Sequence, residues 1–434
     1  MKRTLIFIML FMIKLSISSG LTMEQAIRDG IALNAAIQNS KLESKILEVD
    51  NRIRRSGKWF SLSGAGTYLY KSEKTEITMP DITIAPGMSI TGLKIEGGVR
   101  HNFDFKIALS QPIFTGYSLS GMVNMNEIEQ TLNISKRELL ELMLTGRIKS
   151  VFFNYRILSS QLDSLTALNR KINNHLKKLE DLFSEDLVGK SQVLETRLKQ
   201  KEIALSVTEA ENGISRIAST FAELTGHEIE NIGREYTEEI PDRDMSMKLF
   251  TLGHPELKIL SDTEKMIRIS KKMVRGKNLP RIGGFAEFHY GVPGINFIGD
   301  EWTHYFQGGI EVRLKLFDWS KSRRENLIND YNLEKIDTQK KDLIRRTRLQ
   351  ISDLFSTLKN LQERIRTYEE MIRIAIEESE VKKHLFSEKQ ISNRDYIDSV
   401  LNVETLRSLK DKADLQAELI KVEINIMIGK KGEK

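Results

Sequence analysis

Two stretches that share the residues LFSE, LFSEDLVGK at 182–190 and LFSEKQIS at 385–392, decide the fold of this chain of 434 residues. Phe183 of the first stretch lies 203 positions before Phe386 of the second. Both stretches combine apolar residues with charged and small ones, as is typical of a point where a helix breaks and the chain turns. A turn that occurs twice indicates that a whole structural unit has been duplicated.

A second pair of landmarks lies upstream at the same offset. LSQPIFTGYS at 109–118 and VRLKLFDWS at 312–320 are both typical of a strand end followed by a helix start. Phe114 and Phe317 each lie 69 residues before the Phe of the following turn. Two landmarks at one offset predict two structural repeats, at 21–235 and 236–434.

Helical periodicity connects the landmarks within each repeat. In the first repeat apolar residues recur at spacings of three, four or their sum: Leu158, Leu162, Leu165, Ile172, Leu176, Leu179 and Phe183. A helix of about 65 residues extends roughly 100 Å. A second helical run follows each turn, so we predict one long α-helical hairpin at 116–225 and another at 318–428.

Four shorter segments alternate between apolar and polar residues, which predicts β-strands at about 59–70, 99–114, 281–292 and 303–317. The pattern is clearest around residue 105, where apolar and polar side chains occupy odd and even positions respectively: Phe103, Phe105, Ile107 and Leu109 against Asn102, Asp104 and Lys106. A soluble antiparallel sheet alternates in the same way as a membrane barrel. Four strands cannot close a barrel, so a membrane location requires several chains to pool their strands.

Residues 1–20 are typical of a secretory signal peptide. Lys2 and Arg3 precede an apolar run at 5–13, and small residues follow at 16–20. The apolar run is about half the roughly 20 residues that span a bilayer, and a membrane anchor is the alternative. The sequence therefore predicts export across an inner membrane.

Composition argues against several classes of function. The formal net charge is +6, and residues 1–20 contribute three of these charges, so the remaining surplus is too small to favour nucleic-acid binding. The absence of Cys excludes disulfides and thiolate chemistry. The seven His residues lack metal-ligand spacing, and the Gly-Lys pairs lack the Ser or Thr of a phosphate-binding loop. We expect no catalytic residues, no metal and no cofactor.

Over essentially the whole of 21–434 the chain resembles the TolC-type outer-membrane efflux and secretion channels. The resemblance rests on the opening helix LTMEQAIRDG at 21–30, its counterpart GHPELKIL at 253–260 and the junction SQPIFTG at 110–116. It implies a mainly α-helical chain with membrane β-strands. Three chains would form a homotrimer, with a twelve-stranded β-barrel in outer-membrane lipid and a periplasmic α-helical barrel. It also implies a periplasmic adapter (membrane fusion) protein and an inner-membrane transporter as partners.

The same resemblance singles out acidic residues just after each turn. The offset of 203 pairs Glu195 with Asp398, and aspartates at the latter place ring the periplasmic mouth of family members. Three copies would bring like charges together and form an electrostatic gate. The family's second aspartate falls on Leu401 or Asn402, so a double ring is not matched. The alternative role of Asp398 and Glu195 is the ordinary stabilisation of a helix N-terminus.

The turns themselves are candidate contacts for the adapter. Val188, Gly189 and Lys190 resemble the family's adapter-contacting turn. In the second copy Ser392 occupies the position equivalent to Gly189. A simpler role for Gly189 is to permit the chain to turn, and the two roles are compatible.

The sequence favours a passive exit duct of a tripartite efflux pump or a type I secretion system, and not an enzyme. One alternative is a periplasmic adapter, which has a single hairpin flanked by β-rich domains. Another is a structural coiled-coil protein of the cell envelope, which needs no alternating strands. Two hairpins, each preceded by a strand pair, favour the duct.

Overall fold

The computed structural model describes residues 21–232, 236–296 and 298–430, so the predicted signal peptide lies outside the described residues. Within these ranges, none of the helices combines the length and the apolar character that crossing a membrane requires. In chain order, and apart from a short 3₁₀ turn after α4, the elements are α1 (Met23–Leu33), α2 (Ala35–Ser56), β1 (Ser61–Tyr70), β2 (Thr75–Thr78), β3 (Ile82–Ala85), β4 (Met88–Ile90), β5 (Lys94–Gly97), β6 (His101–Phe114), α3 (Ser118–Ser184), α4 (Lys190–Thr225), α5 (Arg243–Gly253), α6 (Pro255–Gly276), β7 (Arg281–Val292), β8 (Thr303–Arg313), α7 (Lys321–Ser387) and α8 (Asn393–Met427).

The expectation of a mainly α-helical chain with β-strands is confirmed, and the duplication is visible in the helix bounds. α3 and α7 are both 67 residues long and begin 203 residues apart. α4 and α8 also begin 203 residues apart. The helices that open each repeat come in pairs, because α1 and α5 have 11 residues each and α2 and α6 have 22.

Sequence periodicity did not reveal that each opening helix is divided in two. The first division lies at Asn34, which has extended ψ and whose side chain accepts a hydrogen bond from the Ile37 backbone N–H at 3.1 Å. The second lies at His254, which precedes Pro255 and is held out of the helical conformation by the proline ring. α5 as a whole was missed.

The chain forms two compact units, and each unit takes residues from both sequence repeats. Of the described residues, one unit takes those within 21–42, 133–259 and 339–430, and the other takes those within Glu43–Leu132 and Leu260–Thr338. Compact packing and sequence duplication therefore divide the chain differently.

The core of the first unit lies where α1 packs against α3 and α4. Phe152 and Phe153 are fully buried there, and burial of each such side chain stabilises the fold by about 1.5–3 kcal/mol. Gly30 is needed for this packing, because a Cβ would lie 2.8 Å from both Ile148 Cδ1 and the Leu224 carbonyl oxygen. The other buried members are Met23, Ala26, Ile27, Ile37, Leu144, Phe221, Ile229, Ile232, Leu415 and Val422.

A buried ion pair fixes the segment between the repeats to this unit. Lys149 is 1% exposed, and its Nζ donates to Glu238 Oε1 at 2.5 Å. The same carboxylate accepts from Tyr236 Oη at 2.6 Å and from Asn425 Nδ2 at 2.7 Å. Burial, and then the hydrogen bond to Glu238, raise the pKa of Tyr236. A buried carboxylate with three donors is satisfied, so the segment is held in one arrangement.

The second unit contains a four-stranded antiparallel sheet in the order β1-β6-β7-β8. The strands are shorter than predicted at three ends. β1 begins at Ser61 because Trp59 is held in a turn by a hydrogen bond to the Ser56 carbonyl. β6 begins at His101, and β8 ends at Arg313, whose partner Arg281 is the first residue of β7. The segment 71–98 contains two small antiparallel strand pairs, β2–β5 and β3–β4.

The junction between β6 and α3 depends on two glycines that approach each other. Gly116 has φ +61°, and a Cβ there would lie well inside 3.0 Å of the Gly276 carbonyl oxygen. A Cβ on Gly276 would be even closer to the Gly116 carbonyl oxygen. The SQPIFTG motif therefore ends in glycine because the end of α6 leaves no room for a side chain.

Candidate functional site

The four-stranded sheet has one apolar face, and that face is exposed in the single chain. The register aligns Ile107 of β6 with Phe288 of β7, and Phe288 with Phe306 of β8. Phe306 is 70% exposed and Ile310, on the same face, 71%. Further exposed members of this face are Leu62, Tyr68, Tyr70, Phe105, Tyr290 and Val312. A continuous exposed apolar face of this kind is typical of a surface that contacts lipid or another protein.

The opposite face of the sheet is polar and carries a connected group of charges. Lys106 Nζ donates to Glu287 Oε1 at 3.1 Å, and Gln307 Nε2 donates to Glu287 Oε2 at 2.7 Å. His289 Nδ1 lies 3.0 Å from Asp104 Oδ1. These groups satisfy one another across neighbouring strands, as expected for a face in contact with water.

The first hairpin turn has its left-handed residue at Asp186, not at Gly189. Asp186 has φ +61°, and the Leu187 backbone N–H donates to the Leu182 carbonyl at 3.0 Å, which closes the end of α3. Gly189 has φ −78°, and a Cβ there would meet nothing within 4 Å. The backbone conformation at 189 does not require a glycine. Because Gly189 has no side chain, its backbone is exposed at the tip of the hairpin.

The second hairpin turn is closed in the same way at Lys389, which has φ +61°. Ser392 is the N-cap of α8, where its Oγ accepts from the Asp395 backbone N–H at 3.2 Å and donates to Asp395 Oδ2 at 2.6 Å. The Ser392 backbone N–H completes this capping box. The hydrogen bond from Ser392 also lowers the pKa of Asp395. The Ser392 hydroxyl thus has a local structural partner.

Asn393 links the second turn to the first hairpin, and sequence analysis missed it. The residue is 1% exposed, and its Oδ1 lies 2.6 Å from His175 Nε2 on α3. Its Nδ2 donates to Thr196 Oγ1 on α4 at 3.0 Å and to the Gln192 carbonyl at 3.4 Å. Asn393 is an uncharged residue at the start of α8, and its role depends on a contact with the other hairpin. The local sequence therefore gives no signal for it.

His175 lies in an aromatic and cationic environment between the hairpins. Its ring packs edge-on against Phe386 and Tyr396, with centroids 5.5 and 5.0 Å away. Burial is the main cause that lowers the pKa of His175, and the nearby Lys178 lowers it further, although the hydrogen bond to Asn393 opposes both effects. A cavity of about 370 Å³ adjoins the ring, and its charged lining is Lys171, Lys178, Glu380, Lys383 and Arg407.

The predicted gate residues lie on exposed positions of α4 and α8. The Asp398 side chain is 62% exposed, and its Oδ2 lies 3.9 Å from Arg394 Nε one turn earlier. Glu195 is exposed as well. Leu401 instead packs against the apolar cluster between the hairpins, so it does not belong to the same surface as Asp398. Asn402 is exposed and uncharged. Of the candidate gate positions on α8, only Asp398 is acidic, whereas Asp395 one turn earlier belongs to the capping box with Ser392.

Within the described part of the chain, no group of three or more His, Asp or Glu side chains is arranged to hold a metal ion. On the sheet, His289 contacts Asp104 and Glu287 through different ring nitrogens, so the two carboxylates do not converge on one point.

Comparison with solved structures finds outer-membrane proteins with the same fold over nearly the whole chain. CusC matches with a TM-score of 0.76 at 9% identity, over 94% of this chain and 92% of CusC. The outer-membrane protein VceC from Vibrio cholerae matches with a TM-score of 0.72 at 12% identity, over 94% of this chain and 96% of VceC. The outer-membrane channel CmeC from Campylobacter jejuni gives 0.68 at 13% identity, over 95% and 87%.

No protein-family model and no curated protein sequence matches the chain. The exposed apolar face of the sheet, the paired long hairpins and the similarity to solved structures all indicate the same fold. The chain has the fold of the TolC-type outer-membrane channels.

Proposed function

We propose that this protein is a passive, non-enzymatic exit duct in the outer membrane of a two-membrane cell. Three copies pool their strands into a twelve-stranded β-barrel, and their hairpins form an α-helical barrel in the periplasm. Substrate passes from an inner-membrane transporter to the exterior, in a tripartite efflux pump or a type I secretion system. The solved structures of similar fold are named as outer-membrane channels, which supports this assignment.

The observation that carries the proposal is a four-stranded sheet with an exposed apolar face and two free edges. β1 and β8 are edge strands, each paired on one side only. An unpaired backbone polar group costs several kcal/mol in lipid, so both edges need partners there. The outermost strands run in opposite directions, so β8 of one copy can continue into β1 of the next with antiparallel pairing throughout.

The polar face of the sheet would then line a wet lumen, and the hairpin tips would face the adapter. We propose Val188, Gly189 and Lys190 as the adapter-contacting surface, because Gly189 presents bare backbone without any conformational need for glycine. Ser392 is a weaker candidate, since its hydroxyl caps α8. Asp398 is the proposed gate residue, with Glu195 in the equivalent place on the first hairpin.

The alternatives fit the fold less well. A periplasmic adapter or a structural coiled-coil protein has no use for an exposed apolar sheet attached to two hairpins. Both would leave residues such as Phe306 and Ile310 facing water.

Two neighbouring residues on β6 provide a matched test. Ile107 lies on the apolar face and Ala108 on the polar face of the same strand. A lysine on the lipid-facing surface costs about 2–4 kcal/mol near the bilayer midplane. We expect Ile107→Lys to abolish assembly in the outer membrane and Ala108→Lys to be tolerated.

The measurement is membrane fractionation after expression in a Gram-negative host, followed by planar-bilayer recording of the purified wild-type protein. The proposal predicts outer-membrane protein that gives discrete conductance steps without nucleotide. Wild-type protein in the soluble or inner-membrane fraction, or equal behaviour of the two variants, would contradict it.

A further inference from the structure

Within one chain the two hairpins touch through α3 and α8. Lys171 Nζ donates to Glu404 Oε1 at 2.6 Å, and Ser160 Oγ donates to Asp411 Oδ2 at 2.9 Å. Near Lys171 and Glu404 an apolar cluster joins the two hairpins: Leu168, Ile172 and Ile203 from the first, Ile397, Val400 and Leu401 from the second. α3 and α8 therefore supply the ion pair and most of the apolar cluster, and α4 joins the contact through Ile203 and through the hydrogen bond of Thr196 with Asn393.

The duplication predicts where a second contact of this kind forms. A ring of three copies contains six hairpins, with first and second hairpins alternating, so each second hairpin meets the first hairpin of the next copy. Adding 203 to a residue number on α3 gives a position on α7, and subtracting 203 from one on α8 gives a position on α4. The contact between copies is therefore expected to join α7 of one copy to α4 of the next.

The counterparts of the apolar cluster are exposed at the expected positions. Leu168 and Ile397, which are 7% and 5% exposed inside the chain, correspond to Met371 and Leu194. Met371 is 42% exposed and Leu194 is 50% exposed, and the counterpart of Leu401 is Leu198, which is 64% exposed. The single chain thus carries two exposed halves of one apolar cluster, on α7 and on α4.

The hydrogen-bonded pair near the hairpin tips corresponds to two residues of opposite charge. His175 and Asn393, which hydrogen-bond inside the chain, correspond to Glu378 and Lys190. Lys382 lies one helical turn from Glu378 and contacts its Oε1 at 2.7 Å, and the Glu378 side chain is still 46% exposed. A carboxylate on α7 and an ammonium at the start of α4 can therefore form an ion pair between copies.

We infer that adjacent copies dock through α7 of one and α4 of the next, in a quasi-repeat of the contact inside the chain. Met371 of one copy packs with Leu194 and Leu198 of the next, and Glu378 pairs with Lys190. This seam rests on the proposed trimer and deepens it. It also gives Lys190, at the edge of the proposed adapter-contacting surface, a partner in a second copy of this chain.

The chain contains no Cys, so cysteines introduced at the seam would be the only thiols available for cross-linking. Ile374 and Lys201 are the counterparts of the ion-paired Lys171 and Glu404, and both are exposed. The double variant Ile374→Cys with Lys201→Cys is purified in mild detergent and treated with a short bismaleimide. The matched control is Ile374→Cys with Lys199→Cys, because Lys199 is the same residue type on nearly the opposite side of α4.

We expect the double variant with Ile374→Cys and Lys201→Cys to run mostly as cross-linked dimer and trimer bands on a denaturing gel. The control with Ile374→Cys and Lys199→Cys should run as a monomer. A second measurement, the survival of oligomer in SDS, should fall with Lys190→Glu or Glu378→Lys alone and recover in the double reversal. If native mass spectrometry shows trimers but the cross-links do not form, or form only within a single chain, the proposed contact between α7 and α4 is overturned. The proposed duct would still stand. The absence of trimers would overturn the proposed duct as well.

Discussion

Acidification should loosen the contact between the hairpin tips at His175. The pKa of His175 is lowered mainly by burial, with Lys178 adding to the effect, so the closed contact binds protons less well than an opened one. The contact is fully stable above the ordinary His pKa of 6.5 and loses stability as the pH falls below that value toward the lowered pKa. Glu380 and Lys383 on α7 and Arg407 on α8 also line the cavity beside the ring.

The size of the effect follows from proton linkage. If the ring takes up a proton only when the contact opens, lowering the pH from 7.5 to 5.5 favours opening by about 1.4 kcal/mol, which is about tenfold. Because the ring is only half-buried, the expected change lies between roughly threefold and tenfold.

Hydrogen exchange of the backbone amides around Asn393 measures this opening, after correction for the pH dependence of the chemical step. The matched variant is His175→Gln, whose side-chain amide can donate to Asn393 Oδ1 without titrating. We expect the pH dependence to disappear in the variant. If wild type and variant respond equally to pH, or if acid increases protection, the reasoning about His175 is refuted.

Three substitutions test other parts of the account. Asp398→Asn should lower the cation selectivity of single channels in planar bilayers, because it removes one negative charge per copy from the proposed periplasmic mouth; unchanged selectivity would remove Asp398 from the gate. Gly189→Ser should leave the unfolding midpoint unchanged or slightly higher, since φ is −78° there, yet reduce cross-linking to the adapter; normal adapter capture would exclude this backbone as the contact. Gly116→Ala should destabilise the protein by more than about 2 kcal/mol, because of its positive φ and the Gly276 carbonyl, whereas Gly64→Ala, which meets nothing within 4 Å, should not; equal thermal unfolding of the two variants would refute the close approach.

The long elements were predictable because their signals are local and repeated. Helical periodicity and the shared offset of 203 predict two hairpins, and alternation predicts the four principal strands. The ends of elements were less predictable, because they depend on partners: β8 stops at Arg313 where β7 begins, and α6 is separated from α5 by the residue before Pro255. The strand partner Arg281 is not visible in the segment that it limits, whereas Pro255 is a local signal that helical periodicity alone does not use.

Site residues divide in the same way. Asp398 and Gly189 stood out because each turn could be aligned with its copy and with a known family. Asn393 and His175 did not, because their roles arise from a contact between hairpins far apart in sequence. Gly189 also shows that a glycine in a turn need not serve the turn, since the left-handed residue is Asp186.

The central claim is that separate chains share one pore, because the sheet of a single chain has two free edges. Native mass spectrometry of the detergent-extracted wild-type protein counts the chains in each particle directly. The account predicts three chains per particle, which gives twelve strands in a closed barrel. A particle of one or two chains would contradict it.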